Sequence, residues 1–167
     1  KVAATYIVLF IIFGEVMNKC GMGQFFNDIA NALAGHTKGG PAKVAVLASG
    51  FLGSINGSAV ANVVTTGTFT IPLMKKTGYS KEFAGSVEAT ASVGGQLLPP
   101  IMGAAAFVMA ETLGVKYGVI IRAAVIPALL YYMGILVQVQ MRATKENLNG
   151  LPKEQMPKPS QVMKERG

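Results

Sequence analysis

Long apolar runs alternate with short polar connectors along the chain, and this pattern predicts helices of membrane-spanning length. The uninterrupted runs predict one span over residues 2–16 and another over 117–141. Between them, residues 21–35 place apolar side chains at helical spacing opposite amide and carboxylate side chains. Such a segment is typical of an amphipathic helix at an interface. Residues 142–167 are polar and contain several prolines, which indicates a cytoplasmic connector or tail.

The apolar segment 44–74 is broken at its centre by the polar run GSINGSAVAN. Lysines lie beyond both of its ends, and the cytoplasmic excess of basic residues argues against placing those ends on opposite sides of a membrane. We therefore predict a re-entrant helical hairpin with arms over 44–55 and 59–74 and a tip that contains Asn56 and Gly57. Irregular backbone at membrane depth is tolerated only where it is buried or lines a wet cavity. The tip is thus a candidate site.

The segment 82–113 is also apolar, and it is interrupted by the run GGQLLPP. Two successive prolines, Pro99 and Pro100, remove two backbone donors and cannot continue a helix. We predict two half-helices, over 82–93 and 101–113, joined by an extended crossing. The chain therefore contains two separate interruptions of apolar segments.

Composition narrows the class of protein. Hydrophobic residues make up 51% of the chain and charged residues 14%, whereas a soluble domain carries about 25% charged residues. The mean hydropathy of +0.44 agrees. The predicted fold class is therefore an all-α polytopic membrane protein, with residues 1–141 as its membrane part.

The charge distribution predicts how the chain is oriented. The net charge of +7 comes from lysines and arginines clustered at the ends of apolar runs, without interleaved aromatic residues. This pattern is typical of membrane topology and disfavours nucleic-acid binding. We expect the loops 14–43 and 75–81 and the tail to be cytoplasmic, with the lipid bilayer around the spans.

Interrupted helices expose amides and carbonyls that can coordinate an ion or a polar substrate near the membrane midplane. The returning hairpin arm offers two polar side chains one helical turn apart, and the second interruption offers hydroxyls and carbonyls. Neutral oxygens of this kind suit a hard cation such as sodium. The candidate residues are Ser58, Asn62, Thr90, Ser92, Gly94 and Gly95. Alternatively, such residues serve only to pack helices, with Gly53 and Gly57 forming a close-packing face.

Other chemistry has less support in the sequence. Glu88 and Glu111 lie within apolar runs, where carboxylates often mark functional sites, but both positions can lie near a membrane surface and are secondary candidates. The sequence contains no nucleophile–base pair, Cys/His metal cluster or phosphate-binding loop. We expect neither an enzyme nor a cofactor, with sodium only as a coupling ion.

Four stretches resemble the first half of the large permease subunit of tripartite ATP-independent periplasmic (TRAP) transporters. They are GSINGSAVAN (53–62), TGTFTIPLM (66–74), KTGY (76–79) and EATASVGGQLLPPIMG (88–103). The resemblance extends over residues 2–141 and is nearest to fused permeases, which join the small and large membrane subunits in one chain. Both interrupted segments match in order and spacing.

The resemblance implies a sodium-coupled importer of the cell inner membrane that moves an organic acid or similar solute by an elevator mechanism. It implies a periplasmic solute-binding protein as partner, and a second inverted repeat and a small-subunit part elsewhere in the same permease. It also places one sodium site between the hairpin and the broken helix, at the six candidate residues above. Two alternatives stay open: a sodium–anion symporter without a binding-protein partner, and a non-transporting membrane assembly subunit.

Overall fold

A computed structural model of the chain describes residues 8–9, 12–14, 16, 19–148 and 150. The elements delimited in this part of the chain are all helices, which confirms the all-α fold class. In chain order they are α1 (Met22–Ala34), α2 (Gly40–Asn56), α3 (Ala59–Lys76), α4 (Lys81–Gly95), α5 (Ala104–Leu113) and α6 (Tyr117–Lys145). The predicted span over 2–16 lies largely outside the described residues, as does the connector from residue 151 onward.

The helices extend beyond several predicted boundaries. Helix α2 begins at Gly40 rather than at residue 44, because Gly39 adopts a left-handed conformation and Pro41 fits the first helical turn. Helix α4 continues through Gly95, two residues past the predicted end of the first half-helix. Helix α6 ends at Lys145, four residues into the predicted connector. In each case the helix includes residues that the sequence pattern had placed outside it.

A two-residue turn joins α2 to α3. Gly57 ends α2 with a φ of 63°, and a Cβ at this position would lie 2.4 Å from the Met102 carbonyl oxygen. Only glycine combines that backbone conformation with so close a neighbour. Ser58 then caps α3, since its Oγ accepts a hydrogen bond from the Ala61 amide at 3.3 Å. Asn56 closes the turn by accepting from the Ser58 amide at 3.0 Å.

The crossing between α4 and α5 lies against this turn. It contains a cis peptide bond between Pro99 and Pro100. The next two amides, of Ile101 and Met102, both donate to the Ser54 carbonyl near the end of α2, at 3.1 and 3.3 Å. The two interruptions that the sequence predicted separately therefore meet in space.

Helix α4 is the central element of the bundle. It packs against both hairpin arms and against α6, whereas α5 contacts mainly α6. The main hydrophobic cluster, at the end of the bundle away from the turn, contains Ala42, Ala45, Val46, Met74, Tyr79, Ala84, Val87, Ala91, Val139 and Ala143. Small side chains dominate this cluster, so the helices can approach closely.

The closest approach of α2 and α4 is at two glycines. A Cβ at Gly95 would lie 2.6 Å from the Gly53 Cα, and a Cβ at Gly53 would lie 2.8 Å from the Gly95 Cα. Both distances are shorter than any ordinary carbon–carbon contact. The two backbones therefore touch without intervening side chains, as small residues permit in membrane proteins.

By length and apolar composition, α6 is the one helix among the described residues that could cross a membrane. Much of its surface consists of exposed large apolar side chains, including Ile126, Leu130 and Met141. Its contacts with α4 include the Tyr132 hydroxyl, which donates to the Ala91 carbonyl at 2.8 Å.

We predict that Gly95→Ala destabilises the full-length protein by about 1–3 kcal/mol, because the added methyl group meets backbone that cannot rotate away. Gly134→Ala is the matched control: Gly134 also lies within a helix, but a Cβ there meets no described atom within 4 Å. That control should change stability by less than about 1 kcal/mol, in the stabilising direction. Denaturation of the detergent-solubilised protein measures both, and equal effects would refute the close approach.

Candidate functional site

A carboxylate lies at the centre of the bundle. The Glu88 side chain, on α4, is 0% exposed. Ser49 on α2 donates to its Oε1 at 2.7 Å, and Thr70 on α3 donates to its Oε2 at 2.6 Å. Thr66, also on α3, forms a further hydrogen bond to Oε1. The carboxylate therefore joins α4 to both arms of the hairpin.

Helical periodicity aligns these groups. Asn62, Thr66 and Thr70 are spaced four residues apart on α3, and so are Glu88 and Ser92 on α4. Residues at this spacing share one face of a helix. The two polar faces oppose each other, and Gly67 leaves room for the carboxylate, since a Cβ there would lie 3.3 Å from the Glu88 Cγ.

The Asn62 amide lies at the other end of this polar cluster. Its Nδ2 donates to the Ser49 carbonyl at 2.8 Å and to the Ser92 Oγ at 3.2 Å. Both amide protons are therefore used. The Asn62 Oδ1 is buried and has no hydrogen-bond partner among the described residues. A buried acceptor without a partner carries a desolvation cost, and a bound cation would remove that cost.

Ser92 connects the two ends of the cluster. Its Oγ accepts from Asn62 and contacts the Glu88 Oε1 at 3.4 Å. Gly53 packs against Asn62, because a Cβ at Gly53 would lie 3.0 Å from the Asn62 Nδ2. The same Cβ would lie 2.8 Å from the Gly95 Cα. Among the predicted candidates, the structure thus brings together Asn62 and Ser92, with Gly95 next to them.

The other predicted residues lie apart from this cluster. Ser58 caps α3 at the turn, and the exposed Thr90 contributes its carbonyl, which accepts from the Tyr131 hydroxyl at 2.9 Å. Gly94 packs beneath the rings of Tyr131 and Tyr132. Each of these three has a local structural role in the described part of the chain.

Sequence reasoning missed Ser49 and Thr70 and did not anticipate the burial of Glu88. The spacing of Glu88 four residues before Ser92 is a signal in the sequence that both share a helix face. Ser49 carries no such signal, because it belongs to the other arm and reaches the cluster only through helix packing.

The Glu88 carboxylate has no basic partner within ion-pair distance among the described residues. An ion pair joins Arg142 and Glu146 at 2.7 Å, near the end of α6 and away from Glu88 in the chain. A buried charge without a counter-charge is costly. The hydroxyls of Ser49, Thr66, Thr70 and Ser92 are the polar groups that offset it.

A cavity of about 490 Å³ lies between the crossing, α5 and α6. Its lining is mostly apolar and includes Met102, Ala106, Met109, Ile120 and Pro127. None of the cluster residues lines it. The polar cluster and the apolar cavity are therefore different features.

Comparison with known proteins gives a consistent result. A family described as the tripartite ATP-independent periplasmic transporter, DctM component, matches residues 1–166. The C4-dicarboxylate TRAP transporter large permease protein DctM of Pseudomonas aeruginosa is 31% identical over 88% of this chain and 34% of the relative. The protein of the same name from Vibrio cholerae is 32% identical over 87% of this chain and 32% of the relative.

A further relative carries a different substrate in its name. The sialic acid TRAP transporter large permease protein SiaM of Vibrio cholerae is 27% identical over 88% of this chain and 34% of the relative. The chain thus spans about a third of the length of these relatives. All three are named as transporter permeases and none as an enzyme.

We predict that Thr70→Val destabilises the full-length protein by about 1–3 kcal/mol, because valine keeps the shape of threonine but removes the hydroxyl that donates to the buried Glu88 Oε2. Thr68→Val is the matched control on the same helix, since Thr68 is exposed and its hydroxyl bonds only the Thr65 carbonyl. Thermal denaturation in detergent compares the two. A Thr68→Val loss as large as that of Thr70→Val would contradict the assigned role of the Glu88 hydrogen bonds.

Proposed function

The chain belongs to the large permease (DctM) family of tripartite ATP-independent periplasmic transporters, and on that premise we propose that it forms one half of a sodium-coupled permease. The permease imports an organic acid or a similar small solute, which a periplasmic solute-binding protein delivers. C4-dicarboxylates and sialic acid, which appear in the names of two relatives, are solutes of this kind. The second repeat and the small-subunit part belong to the remainder of the same permease.

The positions of charged residues support a re-entrant hairpin. Lys38 and Lys43 lie near the start of α2, and Lys75 and Lys76 lie at the end of α3. Ser49 bonds Thr66, whereas Gly53, one turn later on α2, packs against Asn62, one turn earlier on α3. The two arms are therefore antiparallel, and these lysines lie at the same end of the hairpin. A basic end facing the cytoplasm follows the positive-inside rule. The hairpin then enters the inner membrane from the cytoplasm, and the protein is multi-pass.

The hairpin tip supports a location at membrane depth. The turn and the crossing are irregular backbone, which a bilayer tolerates only when the backbone is buried in protein or lines a cavity. Here the Ile101 and Met102 amides of the crossing donate to the Ser54 carbonyl near the end of α2. Each arm is about 26 Å long at 1.5 Å per residue, so the tip lies deep within the membrane.

The unpartnered Asn62 Oδ1 is the observation that carries the sodium assignment. It is a buried, neutral oxygen of the side-chain amide whose Nδ2 donates to the Ser92 hydroxyl, and the buried glycines Gly53 and Gly95 lie next to that amide. A sodium ion prefers oxygen ligands, and glycines allow carbonyls to approach it. In this proposal Asn62 and Ser92 supply side-chain ligands, and the ion couples solute import to the sodium gradient.

The hydrogen bonds that join α4 to α2 and α3 are the basis for proposing an elevator mechanism. Helices α2, α3 and α4 share one hydrogen-bonded cluster, whereas α6 has a largely exposed apolar surface. A transport domain made of α2, α3 and α4 would therefore move as a unit. Family membership favours this reading over a sodium–anion symporter without a binding protein, and over an assembly subunit that does not transport.

We predict that solute uptake by the full-length permease in proteoliposomes, with its binding protein outside, requires an inward sodium gradient. Asn62→Ala should raise the half-saturating sodium concentration about tenfold, because it removes a ligand worth roughly 1.4 kcal/mol or more. Ser86→Ala is the matched control on α4, since its hydroxyl is exposed and bonds only the Phe83 carbonyl.

Three outcomes would change the proposal. Uptake that is indifferent to sodium would refute the coupling. Sodium-dependent uptake that both Asn62→Ala and Ser92→Ala leave unchanged would place the ion elsewhere and leave the cluster a packing feature. Uptake without the binding protein would favour the symporter alternative.

A further inference from the structure

We propose that Glu88 is a positioning residue of the cation site: its negative charge attracts the ion, and its hydrogen bonds orient the side chains that hold it. This inference rests on the proposed sodium coupling. It gives Glu88 a role in ion binding although Glu88 is not one of the proposed sodium ligands. Within the described part of the chain, a buried carboxylate without a basic counter-charge and a buried amide oxygen without a hydrogen-bond partner lie in one cluster.

Hydroxyl groups surround the Glu88 carboxylate. An ionised carboxylate only accepts hydrogen bonds, and the hydroxyls of Ser49, Thr66, Thr70 and Ser92 lie within hydrogen-bond distance of its two oxygens. No described lysine, arginine or histidine forms an ion pair with it. A monovalent cation in the same cluster would compensate the charge, as ion pairing requires in a buried site.

The charge is close enough to matter for ion binding. Ser92 bridges the Glu88 Oε1 and the Asn62 amide, with distances of 3.4 and 3.2 Å. For two unit charges about 7 Å apart and an effective dielectric constant of about 20, the Coulomb energy corresponds to a change in affinity on the order of tenfold to fiftyfold. Neutral ligands alone would lack this contribution.

The hydrogen bonds explain how the same residue orients the site. Glu88 accepts from Ser49 and Ser92, and both of these residues accept from the Asn62 Nδ2, Ser49 through its carbonyl and Ser92 through its hydroxyl. A Ser92 hydroxyl that donates to the carboxylate accepts from Asn62 through an oxygen lone pair. The amide is thereby fixed with its Oδ1 free. Loss of the carboxylate would release that orientation as well as remove the charge.

The test compares Glu88→Gln and Glu88→Asp in the full-length permease. Two readouts are used: the half-saturating sodium concentration for uptake in proteoliposomes, and the thermal stabilisation of the detergent-solubilised protein by sodium chloride relative to choline chloride. Glu82→Gln is the matched control, because Glu82 is an exposed carboxylate in the first turn of the same helix.

We expect Glu88→Gln to raise the half-saturating sodium concentration about tenfold or more, with uptake at saturating sodium largely retained. Glu88→Asp keeps the charge but withdraws it by one methylene, so the rise should be smaller, about twofold to fivefold. Sodium-dependent stabilisation should weaken in the same order, and Glu82→Gln should match the wild type.

A purely structural role would lower the melting temperature or the maximal rate of Glu88→Gln while leaving its sodium requirement unchanged, and this result would overturn the inference. If Glu88→Gln does not fold, Glu88→Asp decides, since an unchanged sodium requirement in that variant also overturns it. Failure of the sodium coupling itself would appear in the wild type, as uptake and stability that do not depend on sodium. The two failures are therefore distinguishable.

Discussion

The close approach of α2 and α4 at Gly53 and Gly95 is the constraint on which the polar interior depends. Hydrogen bonds require heavy atoms within about 3 Å, and the side chains that meet around Glu88 are short. Serine and threonine hydroxyls can reach a carboxylate on another helix only when the helix axes are unusually close. With larger residues at the two contact positions, Ser49 would no longer reach Glu88, and the carboxylate would be buried with fewer donors. Close packing at the two glycines thus allows the hydrogen bond between Ser49 and Glu88, which lie one to two helical turns away.

The two interruptions of the apolar segments satisfy each other's unpaired backbone groups. A turn or an unwound crossing leaves backbone amides and carbonyls without helical partners, and such groups must be satisfied where water is absent. The Ser54 carbonyl accepts from Ile101 and Met102, and Gly57 touches Met102. Each irregular segment therefore supplies what the other lacks. This mutual dependence explains why one chain contains a glycine-rich turn and a proline-rich crossing at matching depth.

The sequence predicted the helical class, both interruptions and two members of the polar cluster, because these depend on local signals. Lysine placement, glycine, proline and four-residue spacing can all be recognised along one chain. Ser58 and Thr90 show the limit of that reasoning: each is polar and lies in the right segment, yet one caps a helix and the other lies on an exposed face. Ser49 and the burial of Glu88 depend on how α2, α3 and α4 are rotated against one another. That rotation follows from packing between distant residues, which spacing within one helix does not specify.

The cluster also constrains which parts of the protein can move relative to each other. Separating α4 from the hairpin would strip the Glu88 carboxylate of hydroxyls from both arms while apolar helices still surround it, at a cost of several hydrogen bonds to a buried charge. Sliding α6 along α4 would break the hydrogen bonds from Tyr131 and Tyr132 to the carbonyls of Thr90 and Ala91 and would shift the apolar packing of Val139 and Ala143, but it would not remove donors from a buried carboxylate. Motion along the second interface is therefore energetically easier than motion within the first. For the elevator mechanism proposed above, this asymmetry puts the boundary of the moving unit between α4 and α6, and keeps Asn62, Ser92 and Glu88 together on the same side of it.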